Sequence, residues 1–76
     1  MNGFSSRAEV ERTKAAYPAG TRIELIRMDD PWTGLKAGDR GTVQMVDDAG
    51  TIHMRWDSGS GLGLVPGEDA FRVVRE

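Results

Sequence analysis

Six side chains stand out as candidates for contact with another molecule: Arg27, Asp30, Trp32, Arg55, Asp57 and Ser60. Trp32 lies in a polar stretch beside Pro31, where an aromatic ring offers a large contact area for little lost entropy. It would serve equally well folded back as a cover over the domain. Asp30, with Arg55 and Asp57, would supply the charged part of a protein-binding end. In a different use, Arg27 or Arg55 would pair with a phosphate while the glycines of the Ser58–Gly63 run, with Ser60 among them, let backbone donors approach it.

Catalytic chemistry has little to draw on. His53 alternates away from Ile52 and Met54, which places it on an outer face beside Thr51 and Arg55. No serine or cysteine nucleophile stands in a motif that would make it a base, so no catalytic residue and no enzyme activity is assigned. Carboxylates recur as Asp29-Asp30, Asp47-Asp48 and Glu68-Asp69. Converging carboxylates bind metals or move protons, but each of these pairs falls in a turn, where aspartate bonds its own backbone, and none has EF-hand spacing. With one histidine and no cysteine, a zinc set is incomplete, and neither metal nor cofactor is expected.

The elements that must position these groups are few, because 76 residues allow one domain with one modest core. Without cysteine, stability rests on packing, turn geometry or a partner chain. No apolar run after Met1 has the length of a signal peptide or membrane span, which with the lack of cysteine points to a cytoplasmic setting. The net charge of −2 is uneven: residues 1–22 hold four basic and two acidic side chains, residues 23–76 six basic and ten acidic. An acidic domain should repel a phosphate backbone, so general nucleic-acid binding is disfavoured.

Residues 1–5 read as a disordered N-terminus. Ser6-Arg7-Ala8-Glu9 fits a capping box, and helix formers continue until Tyr17-Pro18 stops them, giving a helix over 6–17. Its apolar face is thin, with Ala8, Val10 and Tyr17, so it must dock on the domain, dock on a partner, or fray. From residue 20 to 76 the pattern is strand-like. Arg22–Met28 reads as a first strand, with either a bulge or two partly covered faces implied where Ile26 and Met28 leave the face of Ile23 and Leu25. Asp29–Gly38 is a long irregular connection. Thr42–Val46 and Thr51–Trp56 alternate around Asp47-Asp48-Ala49-Gly50, where glycine supplies the positive φ of a hairpin return.

The turn Asp57–Gly61 then leads to Leu62–Val65, Pro66–Ala70 suggests one tight helical turn, and Phe71–Val74 is a last short strand. Five short strands with these connections match the plan of a small SH3-like barrel, so the expected fold is mostly β with a short N-terminal helix. Its core should comprise Ile23, Leu25, Val43, Met45, Ile52, Met54, Leu62, Leu64, Phe71 and Val73. Trp56 is expected to pack at its floor or rim.

Gly38-Asp39-Arg40-Gly41-Thr42-Val43 has the look of the glycine-rich opening of a KOW-type barrel, although Gly38 and Gly41 would also stand there simply to relax the backbone. Over about three quarters of the chain, Tyr17–Ile23, Met28–Pro31, Gly38–Val43, Asp47–Gly50 and Trp56–Ser60 together resemble an uncharacterised family of small proteins from bacteria, bacteriophages and mobile elements. The resemblance implies an SH3-like barrel without an established activity. By analogy with other small phage proteins it also suggests action on a host factor.

The expected function is therefore a small non-catalytic binding module with a protein partner. Two alternatives stand beside it: a nucleotide-sequestering protein with its site between subunits, and a KOW-like nucleic-acid binder. No membrane partner is expected, and the oligomeric state is left open.

Overall fold

Ser6 opens a helix as the capping box requires: its Oγ accepts the Glu9 N–H at 3.2 Å, and Glu9 Oε1 accepts the Ser6 N–H at 2.7 Å. The computed structural model describes residues 6–28 and 34–75. Residues 1–5, expected to be disordered, lie outside the described residues. Helix α1 spans Arg7–Ala16 and is followed by strands β1 (Arg22–Arg27), β2 (Arg40–Val46), β3 (Ile52–Trp56) and β4 (Ala70–Val73). The strands form one antiparallel sheet in the order β3-β2-β1-β4. Among the described residues no helix is long and apolar enough to cross a membrane.

The expected five-strand barrel is reduced in this pairing to an open four-stranded sheet. The segment Leu62–Val65 contributes only one bridge, Ile52 with Leu64, on the outer edge of β3. Its earlier part is occupied otherwise: the Leu62 carbonyl accepts the Trp56 indole N–H at 2.8 Å, and the Leu62 N–H donates to Ser60 Oγ. Backbone groups committed to a side chain cannot enter a ladder. Ahead of β4, the Val65 carbonyl accepts the N–H groups of both Glu68 and Asp69, which closes a tight turn there, not the helical one expected, since Gly67 has φ 92.

Bulges decide which side chains face inward. In β1, Leu25 pairs with Phe71 and Arg27 with Ala70, so Ile26 is the extra residue and is half exposed. In β2, Val43 pairs with Met54 and Met45 with His53, so Gln44 is extra and the alternation reverses. Met45, expected in the core, is consequently 52% exposed, and Val46 takes its place inside. Leu62, also expected inside, is turned outward because its segment is not a strand. The buried cluster is Ile23, Leu25, Val43, Val46, Ile52, Met54, Trp56 and Leu64, with Tyr17, Met28, Leu35 and Phe71 packed against it.

The helix docks on the sheet. Val10 is buried, α1 lies against β2, and Lys14 Nζ reaches Asp48 in the β2–β3 turn at 3.0 Å. Tyr17 follows the helix and meets Phe71 edge to face, with ring centroids 5.5 Å apart. Gly20 and Thr21 then exchange backbone bonds with Val43, so the chain enters β1 already paired to β2.

Two glycines of the KOW-like stretch differ in what they do. Gly38 has φ 95, the left-handed conformation that glycine tolerates best. Gly41 has no such angle. It is buried because the β2 backbone lies directly on the Trp56 ring, where a Cβ would come within 2.9 Å of Trp56 Cε3 and of the Arg55 carbonyl oxygen.

Candidate functional site

Strand register places one arginine at an outward position of every strand: Arg22 on β1, Arg40 on β2, Arg55 on β3 and Arg72 on β4. Glu24 pairs with Arg40 on one side and Arg72 on the other. Its Oε1 accepts bonds from Arg40 Nε at 3.1 Å and Arg72 Nη2 at 3.2 Å. The adjacent row runs Arg22, Thr42, Arg55. Arg22 closes a two-pronged bridge on Asp57, at 2.9 and 2.7 Å, while its Nη1 also donates to Thr42 Oγ1 at 3.0 Å. These arginines hold two carboxyls below the usual range: Arg72 and then Arg40 for Glu24, and Arg22 for Asp57.

Asp57 follows directly on β3, and its N–H donates to the Arg40 carbonyl, so it continues the β3 edge of the sheet. The turn after it is anchored from inside. Trp56 is 1% exposed, and its N–H and indole hold the Ser60 and Leu62 carbonyls at 3.0 and 2.8 Å. Ser60 is half-buried and spends its hydroxyl as the acceptor for Leu62.

Of the six sequence candidates, Arg55 and Asp57 stand two residues apart on one strand end, with Ser60 in the turn they lead into. Arg27 is exposed and lies two strands away, beyond Glu24 toward the same end of the sheet. Asp30 and Trp32 lie outside the described residues. Arg55 is exposed and forms no ion pair or hydrogen bond through its side chain with another described residue. Sequence reasoning overlooked Arg22, Arg40 and Arg72. The signal that could have found them is an arginine at an outward position in each strand.

The opposite end of this face is closed by a second polar cluster. Asp47 Oδ1 accepts the N–H groups of Ala49 and Thr51, and its Oδ2 lies 2.7 Å from His53 Nε2. The turn-capping role expected of the acidic pairs is realised by Asp47 here and by Asp69, which accepts the Val65 N–H; Asp39, outside those pairs, accepts the Lys36 N–H in the same way. His53 first, then the Thr51 N–H, hold the Asp47 carboxyl below its ordinary range.

Asp47, Asp57 and Glu24 all lose their protons more readily in the folded chain than in the unfolded one. Their contribution to stability is therefore present above the ordinary carboxylate range and is lost as pH falls through the depressed values. The urea midpoint should drop between about pH 5 and about pH 3. An Asp57→Asn variant should start lower and drop less, because one of the carboxyls that takes up a proton is gone. Equal pH slopes in the two proteins would show that the Arg22 bridge contributes nothing to this dependence.

The family model described as "Domain of unknown function (DUF4314)" matches residues 6–74. The chain belongs to that family, whose match takes in the capped helix as well as the whole sheet. No curated protein and no solved structure matches the chain.

Proposed function

We propose that this member of the family is a non-catalytic binding module that recognises a protein partner. Its contact surface is the outward face of the sheet together with the end that carries the Asp57–Gly61 turn. The observation that carries this reading is the placement of Arg55: exposed, charged, without a side-chain partner among the described residues, and beside a turn clamped by a buried tryptophan. A rigid scaffold presenting a charged group at a strand end, beside a short turn, is what recognition without chemistry calls for. Asp30 and Trp32, the sequence candidates outside the described residues, are proposed as further contacts.

The strand order, the long connection after β1, the short β2–β3 turn and the bridge from Leu64 to β3 support a small SH3-like barrel, left partly open, as the underlying plan. A phage or mobile-element origin and a cytoplasmic host factor as the target complete the proposal. The arginines on all four strands also favour a second reading, a KOW-like nucleic-acid binder, whose affinity would weaken steeply with salt.

The test is affinity capture from host extract with the immobilised protein. Wild type is expected to retain a specific partner, and Arg55→Glu to lose it while keeping an unchanged unfolding midpoint. Retention at wild-type level by Arg55→Glu, Asp30→Ala and Trp32→Ala alike would overturn the proposal. Retention of nucleic acid in place of protein would favour the KOW-like reading.

A further inference from the structure

The outward face differs in charge from the molecule that carries it. Arg22, Arg40, Arg55 and Arg72 stand against Glu24 and Asp57, leaving a surplus of two positive charges on a chain whose net charge is −2. The rest of the chain carries −4, three of those charges in Asp29, Asp30 and Glu76 outside the described residues, so this face is more cationic than the chain as a whole. Its acidic neighbour at the hairpin end, Asp47, is held by His53 and the turn backbone.

Resting on the protein-binding reading above, we propose that the partner presents an acidic, extended segment that lies across this face, with Arg55 and Arg72 as its two anchors. Both are exposed, Arg72 with 54% of its side chain accessible even while it touches Glu24. Three strand spacings and one two-residue step separate them, about 16 Å at 4.8 Å between strands and 3.3 Å per residue. Carboxylates four residues apart, an even spacing that keeps both on one side of an extended chain, span about 13 Å at about 3.3 Å per residue, and the reach of the side chains covers the rest.

The face already shows the geometry such carboxylates adopt. Asp57 sits in the fork of Arg22 with both oxygens engaged, and Glu24 lies between the guanidiniums of Arg40 and Arg72. These two acids also separate protein from nucleic acid as the occupant. A phosphate backbone carries a charge at every step and would meet Glu24 and Asp57 as repulsion, whereas a peptide can place acids only opposite arginines. The described aromatic rings that could stack on bases are committed inward, with Trp56 buried and Tyr17 packed on Phe71.

The experiment is fluorescence anisotropy with a labelled serine-rich peptide that carries glutamate at every fourth position and, in parallel, an oligothymidine of equal charge, at low ionic strength. The spaced-glutamate peptide is expected to bind, and to bind more tightly than oligothymidine. Arg55→Glu should weaken it by about tenfold or more, because reversal removes an attraction and adds a repulsion. Arg55→Lys should retain part of the affinity, and Arg7→Glu on the helix should leave it unchanged. Failure of the spaced-glutamate peptide to bind, tighter binding of oligothymidine, or equal weakening by Arg7→Glu would each overturn the proposal. If the peptide fails while Arg55→Glu still abolishes partner capture from extract, the acidic segment is wrong and the protein-binding module stands. If neither responds to Arg55, both fall.

Discussion

Replacing Trp56 by alanine is expected to remove a large share of the protein's stability at room temperature. Trp56 is 1% exposed and sits where β3 ends, against the backbone of Gly41. Truncating a buried tryptophan costs about 3–5 kcal/mol. At about 0.05–0.15 kcal/mol per residue, a chain of this length has only some 4–11 kcal/mol in all. The same change removes the donor that holds the Leu62 carbonyl, and so frees the turn that carries Ser60. Far-ultraviolet circular dichroism with a urea titration reads the effect directly. Trp56→Phe keeps a ring against Gly41 and loses the N–H, so its loss should be smaller, about 1–3 kcal/mol for a buried acceptor left without its donor. A Trp56→Ala protein with the wild-type midpoint would mean that the ring is not the centre of the core.

Gly41→Ala should destabilise the fold by about 1–3 kcal/mol, the range for overpacking a tight interior. The sign is opposite to the usual expectation, since glycine to alanine at an ordinary extended position gains about 0.4–1 kcal/mol by restricting the unfolded chain. At Gly41 the added methyl would come within 2.9 Å of the Arg55 carbonyl oxygen and of Trp56 Cε3, and within 3.0 Å of Trp56 Cα. Two of these three are backbone atoms of the neighbouring strand, so relief requires β2 and β3 to separate. Gly61→Ala is the control, because nothing lies within 4 Å of a Cβ there and its φ is not positive. Denaturation midpoints of the two variants should move in opposite directions or differ by more than half the Gly41 effect. Equal midpoints would show that the β2–β3 contact relaxes freely.

Much of the local architecture was legible before any coordinates. Ser6 and Glu9 announce the helix start, Tyr17-Pro18 its end, and Gly50, with φ 89, the hairpin return. These signals work because their physics is confined to four or five neighbouring residues. Met45 was misplaced for the complementary reason. Strict alternation from Val43 predicts it inside, but the extra residue Gln44 shifts the register against β3, and a bulge is decided by the partner strand. Leu62 fails similarly, since its carbonyl is claimed by an indole six residues earlier.

The candidate surface was only partly readable. Arg55 and Asp57 stand out as neighbours on one strand end, and Ser60 follows in the turn. Arg22 and Asp57, which form a two-pronged bridge, are 35 residues apart and offer no common motif. The same holds for Arg72 and Glu24, 48 residues apart. The acidic balance of residues 23–76 disfavours general nucleic-acid binding, but a sum over residues carries no information about which face each one occupies.

By itself, then, the order of amino acids determined the helix, its caps, the hairpin turn and the two-residue rhythm that divides inward from outward positions, since each follows from contacts within a turn or two of chain. Only the tertiary structure decided that α1 docks on β2, that Gly41 serves the Trp56 ring, and that four arginines from four strands share one face. Those outcomes depend on the register between strands, which is set by many distant side chains packing at once and is written at no single place along the chain.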